Sequence, residues 1–135
     1  MTVIVCLDNA NGMLFNGRRQ SRDAAVVEDI CSAVGSGRLL IAPFSEALFS
    51  AVGIDVTVCE HPLAAALDGD YCFIENISVA AHKDKATRII VYKWNRDYPA
   101  DFFFDVDYMR EYRMESSVLF PGTSHDKITK EVYVR

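Results

Sequence analysis

The sequence predicts an α/β domain with a mixed sheet, parallel in its first half and antiparallel at its C-terminal edge. Three patterns predict it. Strand-like apolar runs alternate with helix-period segments from Val3 to Ile77, and strands then follow one another with no helix between the last two. Ile128, Lys130, Val132 and Val134 alternate with Thr129, Glu131, Tyr133 and Arg135, the period of a strand with one partly wet face.

Val3–Leu7 is a continuous apolar run, as in a strand buried on both faces. Asn9–Gly12 is turn chemistry, and Met13–Gln20 reads as a loop. Ser21 is a plausible N-cap for a helix in which Val26, Val27, Ile30, Cys31 and Val34 recur at helical spacing. Gly35-Ser36-Gly37 ends it, and Arg38–Ala42 returns as a short strand. Ser45 can cap a short helix that carries Leu48, Phe49 and Val52 and closes at Gly53. Ile54, Val56 and Val58 follow strand period, and Leu63–Leu67 reads as a brief helix. Tyr71–Ile77, Arg88–Trp94, Phe102–Phe104, Tyr112–Phe120 and Ile128–Val134 read as strands.

The chain has 135 residues, half of them hydrophobic and 24% charged, which is ordinary globular composition for one domain, residues 1–135. A net charge of −5 does not favour a broad nucleic-acid-binding face. No apolar run reaches the ~20 residues of a membrane span, and no export signal is visible, so a cytoplasmic location is expected. Cys6, Cys31, Cys59 and Cys72 form no C-x-x-C pair, and His61, His82 and His125 form no H-x-H or H-E-x-x-H. Reduced structural thiols and no metal site are expected.

With the opening strand, the Gly12 turn, the helix after Ser21 and the close from Tyr98 to Arg135 in place, the element order resembles dihydrofolate reductase. The resemblance implies a three-layer α/β sandwich. It also locates departures at functional positions. That family has two glycines where this chain has Glu75-Asn76, and a carboxylate there would repel a cofactor diphosphate. Pro43-Phe44 stand where the family has a Gly-Arg that serves the cofactor phosphates. Val27 stands at the place of the ring-binding acid, with Glu28 and Asp29 nearby. No cofactor is therefore expected, with NADP(H) left open.

Three further segments, Gly12–Asp23, Trp94–Asp101 and Ser124–Thr129, resemble small bacterial proteins, some of which are labelled ribonuclease Z. The H-x-H-x-D-H zinc signature implied by that label is absent from the sequence, so the label does not carry over.

Arg18, Arg19 and Arg22 crowd a helix start, where the dipole disfavours cations unless an anion neutralises them. They are the candidate anion-binding residues, with Trp94 as a candidate stacking surface. His125 beside Asp126 invites acid–base chemistry, but neighbours in sequence cannot orient one another as a triad does. Thr123–Asp126 therefore reads as a turn. Catalytic candidates are Glu28, Asp29 and His125. The leading expectation is a non-reductase that binds a small anionic or nucleotide-like ligand. The alternatives are an NADPH-dependent pterin-type reductase and a protein-interaction module offering Phe102–Phe104 as an edge, with homo-oligomerisation open.

Overall fold

The computed structural model describes residues 1–135. The chain forms strands β1 (Thr2–Leu7), β2 (Gly12–Phe15) and β3 (Arg18–Arg19), helix α1 (Ala24–Val34), then β4 (Arg38–Ile41), β5 (Asp55–Val58), α2 (Pro62–Ala65) and β6 (Tyr71–Phe73). It continues with β7 (Arg88–Lys93), β8 (Phe102–Phe103), α3 (Tyr108–Glu111), β9 (Arg113–Phe120) and β10 (Ile128–Val134). The main sheet has seven strands in the order β5-β4-β6-β1-β7-β10-β9. The pairs from β5 to β7 are parallel, and β10 runs antiparallel to both β7 and β9.

Alternation along the strands sorts the core into two layers. Val3, Val5 and Leu7 of β1 point to one face with Leu40, Cys72, Ile89 and Val91, where Leu63, Tyr108 and Tyr112 cover them. Ile4 points to the other with Leu39, Ile41, Phe73, Ile90 and Tyr92, where Val26, Ile30 and Val34 of α1 and Phe49 cover them. Helices on both faces of a mixed sheet make a three-layer sandwich.

Several elements differ from the sequence reading for local reasons. Met13–Gln20 is not a loop: β2 and β3 form a hairpin across Asn16-Gly17, both at positive φ (52° and 71°). Asn-Gly is the pair that a tight primed turn selects. The hairpin joins β8 in a small second sheet, order β3-β2-β8; there Phe103 is exposed while Phe104, just past the strand, is buried. Asp23, not Ser21, caps α1. Ser45 sits inside a 3₁₀ turn, Pro43–Phe49, whose cap position is Ala42; its hydroxyl donates to Glu75 instead. A second 3₁₀ turn, Ala80–Lys85, and helix α3 have no counterpart in the sequence reading.

Ile30 is fully buried between α1 and the sheet. Ile30→Ala should lower the unfolding free energy by about 2–5 kcal/mol through lost burial and the cavity left behind. A fall in the urea midpoint at constant slope would measure it.

Candidate functional site: a cleft at the N-terminus of α1

In an open α/β sheet, ligands bind beyond the carboxyl ends of the parallel strands. Here the connections that leave β1, β6 and β7 at that edge carry Asp8, Glu75 and Trp94. β10 runs the opposite way, so the residues that precede it, including His125, arrive at the same edge. The segment from β3 into α1 supplies Gln20, Ser21, Arg22 and Asp23.

Asp23 is extended (φ −152°, ψ 127°) and caps α1, its Oδ1 accepting the Ala25 N–H at 2.9 Å. Its remaining acceptor capacity goes to the β9–β10 connection. Oδ1 accepts the Thr123 N–H at 2.9 Å, and Oδ2 accepts the Ser124 N–H at 2.9 Å and the Ser124 hydroxyl at 3.2 Å. His125 completes the set, its Nδ1 lying 2.9 Å from Oδ2. Burial pushes this carboxyl's pKa up, but hydrogen bonds from Thr123, His125, Ser124 and Ala25 outweigh it and hold the group well below the usual carboxylate range. Gly122 permits this approach, since a Cβ there would lie 2.5 Å from Oδ2 of Asp23 and 2.9 Å from the His125 carbonyl oxygen.

The His125 side chain is 6% exposed and Asp23's is 0%. With Asp23 ionised, the proton of a neutral imidazole belongs on Nδ1, facing the carboxylate, which leaves Nε2 as an acceptor. Nε2 lies 2.8 Å from the hydroxyl of Ser21 and 3.4 Å from that of Tyr98. Trp94 stacks on the imidazole with centroids 4.6 Å apart and planes 24° apart. His125 does lie in the bend Thr123–Asp126, as the sequence reading has it, but its imidazole does not act with Asp126. Its partners are Asp23 and Ser21, more than 100 residues away in sequence, and Asp126 is exposed.

Two adjoining recesses share Arg22, Asp23, Val27 and Leu48. The inner one lies among Cys6, Met13, Val26, Ile30, Phe73 and Trp94, with Arg19, Gln20, Ser21 and Glu75 as polar lining. It is tight, with a volume of 20 Å³, about one water. The outer groove, floored by Thr123, Ser124, Glu28 and Ala24, has a volume of 420 Å³.

Arg19 meets Glu75 through two 2.8 Å bonds, Nε to Oε2 and a terminal nitrogen to Oε1. Ser45 donates to the same Oε1 at 2.7 Å, and the Arg19 guanidinium lies over the Phe44 ring. The residues read separately as an anion grip and as a repulsive carboxylate thus neutralise each other. Arg18 and Arg22 are exposed and form no ion pair, and only Arg22 lines the cleft. Trp94 is 3% exposed and already stacked on His125.

Glu28 and Asp29 are corrected as ring-binding acids. Asp29 accepts the Tyr92 hydroxyl at 2.5 Å and pairs with Lys130 at 2.8 Å, away from the inner recess. Glu28 is exposed and reaches only the outer groove. The α1 wall of the inner recess is Val26, Val27 and Ile30.

Burial and the nearby Glu75 push the pKa of the Cys6 thiol, whose sulfur lines the recess, well up. No three His, Cys, Asp or Glu side chains are grouped to hold a metal ion, and no helix is long and apolar enough to cross a membrane.

No family model and no curated protein matches the sequence. Among solved structures, the chain is similar to a dihydrofolate reductase from Enterococcus faecalis in complex with NADP(H) and RAB-propyl. That match has a TM-score of 0.69 and 12% identity, covering 99% of this chain and 95% of the other. The fold is that of dihydrofolate reductase.

Two outcomes follow from the Asp23 geometry. Gly122→Ala should destabilise by roughly 1–3 kcal/mol, because the methyl group must displace the carboxylate or the loop; chemical denaturation measures it. Asp23 has a depressed pKa when folded, so its stabilisation is present above the unfolded value near 3.9 and is lost as pH falls below it. The wild-type unfolding free energy, read by chemical denaturation, should therefore drop as pH falls below that value, with a slope that Asp23→Asn reduces by up to about 1.4 kcal/mol per pH unit.

Proposed function

We propose that this chain is a non-reductase with the dihydrofolate reductase fold, binding a small anionic ligand in the cleft between α1 and the carboxyl edge of the sheet. The observation that carries the reading is the redistribution of charge around that cleft. Its α1 wall is apolar, Glu75 is consumed by Arg19, and Arg22 is left at the mouth with an uncompensated charge. Gln20, another lining residue, has its amide nitrogen turned to Asp8 and Pro99 and so adds no positive charge to the cleft.

The residues do not fit a dinucleotide. Glu75 is a bulky, buried, ion-paired side chain where close approach of backbone to a diphosphate would be needed, and Phe44 packs on Arg19 beside it. The reductase alternative lacks a carboxylate on the α1 wall to hold a pterin ring.

Phosphate, sulfate or a mononucleotide should raise the melting temperature of the wild type, by about 2.7 kcal/mol of added stability at 100 times the dissociation constant. Arg22→Ala should abolish that gain, whereas Arg18→Ala should keep it. An unchanged shift in Arg22→Ala sinks the reading. Saturable oxidation of NADPH with dihydrofolate would overturn the non-reductase part.

A further inference from the structure

We infer that Ser21 is a nucleophile activated by His125 and Asp23, and that the cleft hydrolyses esters with a small apolar acyl group. The inference rests on the proposed ligand cleft and assigns it a reaction. The hydroxyl of Ser21 lies 2.8 Å from Nε2 of His125, whose Nδ1 lies 2.9 Å from Oδ2 of Asp23. That is the order of contacts, hydroxyl to imidazole to buried carboxylate, by which a base removes a serine proton and the resulting imidazolium is stabilised.

A purely structural role accounts for the Asp23 contacts, because the carboxylate needs donors wherever it is buried. It also accounts for a donor at the second nitrogen of the buried imidazole, but not for that donor being a hydroxyl on the lining of a recess. Ser21 and Asp23 both line the inner recess, while His125, which lines neither recess, joins them from behind with its side chain 6% exposed. Trp94 fixes the ring plane by stacking, which limits the motions that would break the relay. Cys6, the other nucleophile type in the recess, has no imidazole within hydrogen-bond reach, whereas Ser21 does.

The recess defines the substrate class. Val26, Ile30, Phe73 and Met13 offer apolar contact around a space for about one water, which admits the methyl of an acetyl group and no longer acyl chain. Arg22 lines both recesses, so the leaving group that exits through the outer groove carries the anionic part.

In the first step Oγ of Ser21 bonds to the carbonyl carbon, and its proton passes to Nε2 of His125. The ester C–O bond then breaks, and the departing oxygen takes that proton and leaves as the alcohol. Water next attacks the acyl carbon and gives a proton to Nε2. As the C–Oγ bond breaks, this proton returns to Ser21 and the carboxylic acid is released. The sum is ester plus water to acid plus alcohol, with no oxidant or reductant.

The test is intact-mass spectrometry of the full chain after exposure to a small alkyl fluorophosphonate, with p-nitrophenyl acetate turnover measured in parallel. One adduct per chain, mapped to Ser21 and absent from Ser21→Ala, is expected. His125→Gln should slow labelling by about 100-fold or more, the loss of a general base. Because His125→Gln removes a buried contact and can misfold, Ser21→Cys is the second variant. Its thiol should react with iodoacetamide at least tenfold faster than any native cysteine. A wild type that stays unlabelled, or labelling and turnover that persist in Ser21→Ala, overturns the inference. The anion-induced melting shift is read in the same samples. If that shift survives while Ser21 stays unlabelled, the nucleophile fails and the binding cleft stands. Ser21 labelling without any shift supports the nucleophile and removes the anion site.

Discussion

The buried carboxylate of Asp23 ties α1, the β9–β10 connection and the His125 ring to one point, and the cleft takes its shape from that tie. A buried charge is tolerated only when donors surround it. Here they come from the first turn of α1 and from Thr123, Ser124 and His125. The helix dipole favours the same negative charge at the same place. Because the two sets of donors lie far apart in sequence, withdrawing the β9–β10 connection would strand the charge. Gly122 is the steric condition for the arrangement, since any side chain there collides with the carboxylate. The wall of the cleft is thereby fixed by electrostatics as well as by packing.

The second constraint is the Arg19–Glu75 pair. Two parallel bonds, a hydroxyl from Ser45 and the Phe44 ring hold it, and such a bidentate contact is geometrically specific. It joins the β2–β3 hairpin to the end of β6, so the segment that carries Ser21 and Arg22 into α1 starts from an anchored point. Breaking either partner would leave the other charge half-buried and uncompensated, at a cost of several kcal/mol. The pair also explains why three arginines close together do not make one strongly cationic surface. One is cancelled internally, one faces solvent on β3, and one remains at the mouth.

Much of the fold was legible because it depends on local period. The apolar run of β1, the helical spacing of α1 and the alternation over Ile128–Val134 each report burial directly. Asn16-Gly17 was an available hairpin signal, but the polar run Arg18-Arg19-Gln20-Ser21 that follows it carries no apolar alternation and resembles a loop. Ser21 and Asp23 are both good capping types, and the choice between them was made by Thr123 and Ser124, whose proximity no local pattern reveals. The outward direction of Glu28 and Asp29 was implicit in the helix period, since Val26, Val27 and Ile30 face inward and leave the intervening positions on the other side. The Ser21–His125–Asp23 contacts and the cancellation of Arg19 by Glu75 are long-range pairings, visible only once the sheet order is known.

The sheet order also separates the residues that build the scaffold from those that line the cleft. The core clusters are built from strand interiors and one face of α1. Most of the polar lining of the cleft comes from the ends of strands and the connections at one edge: Arg19 to Asp23 before α1, Glu75 after β6, and Thr123 and Ser124 before β10. Connections contribute little to the buried apolar area, so their side chains can be exchanged at small cost to folding. Asp23 is the exception, because one carboxylate serves both the helix cap and the imidazole. A substitution that removed the relay by altering Asp23 would also uncap α1 and release the β9–β10 connection. At this position, the geometry presented to Ser21 and the stability of the domain cannot be varied separately.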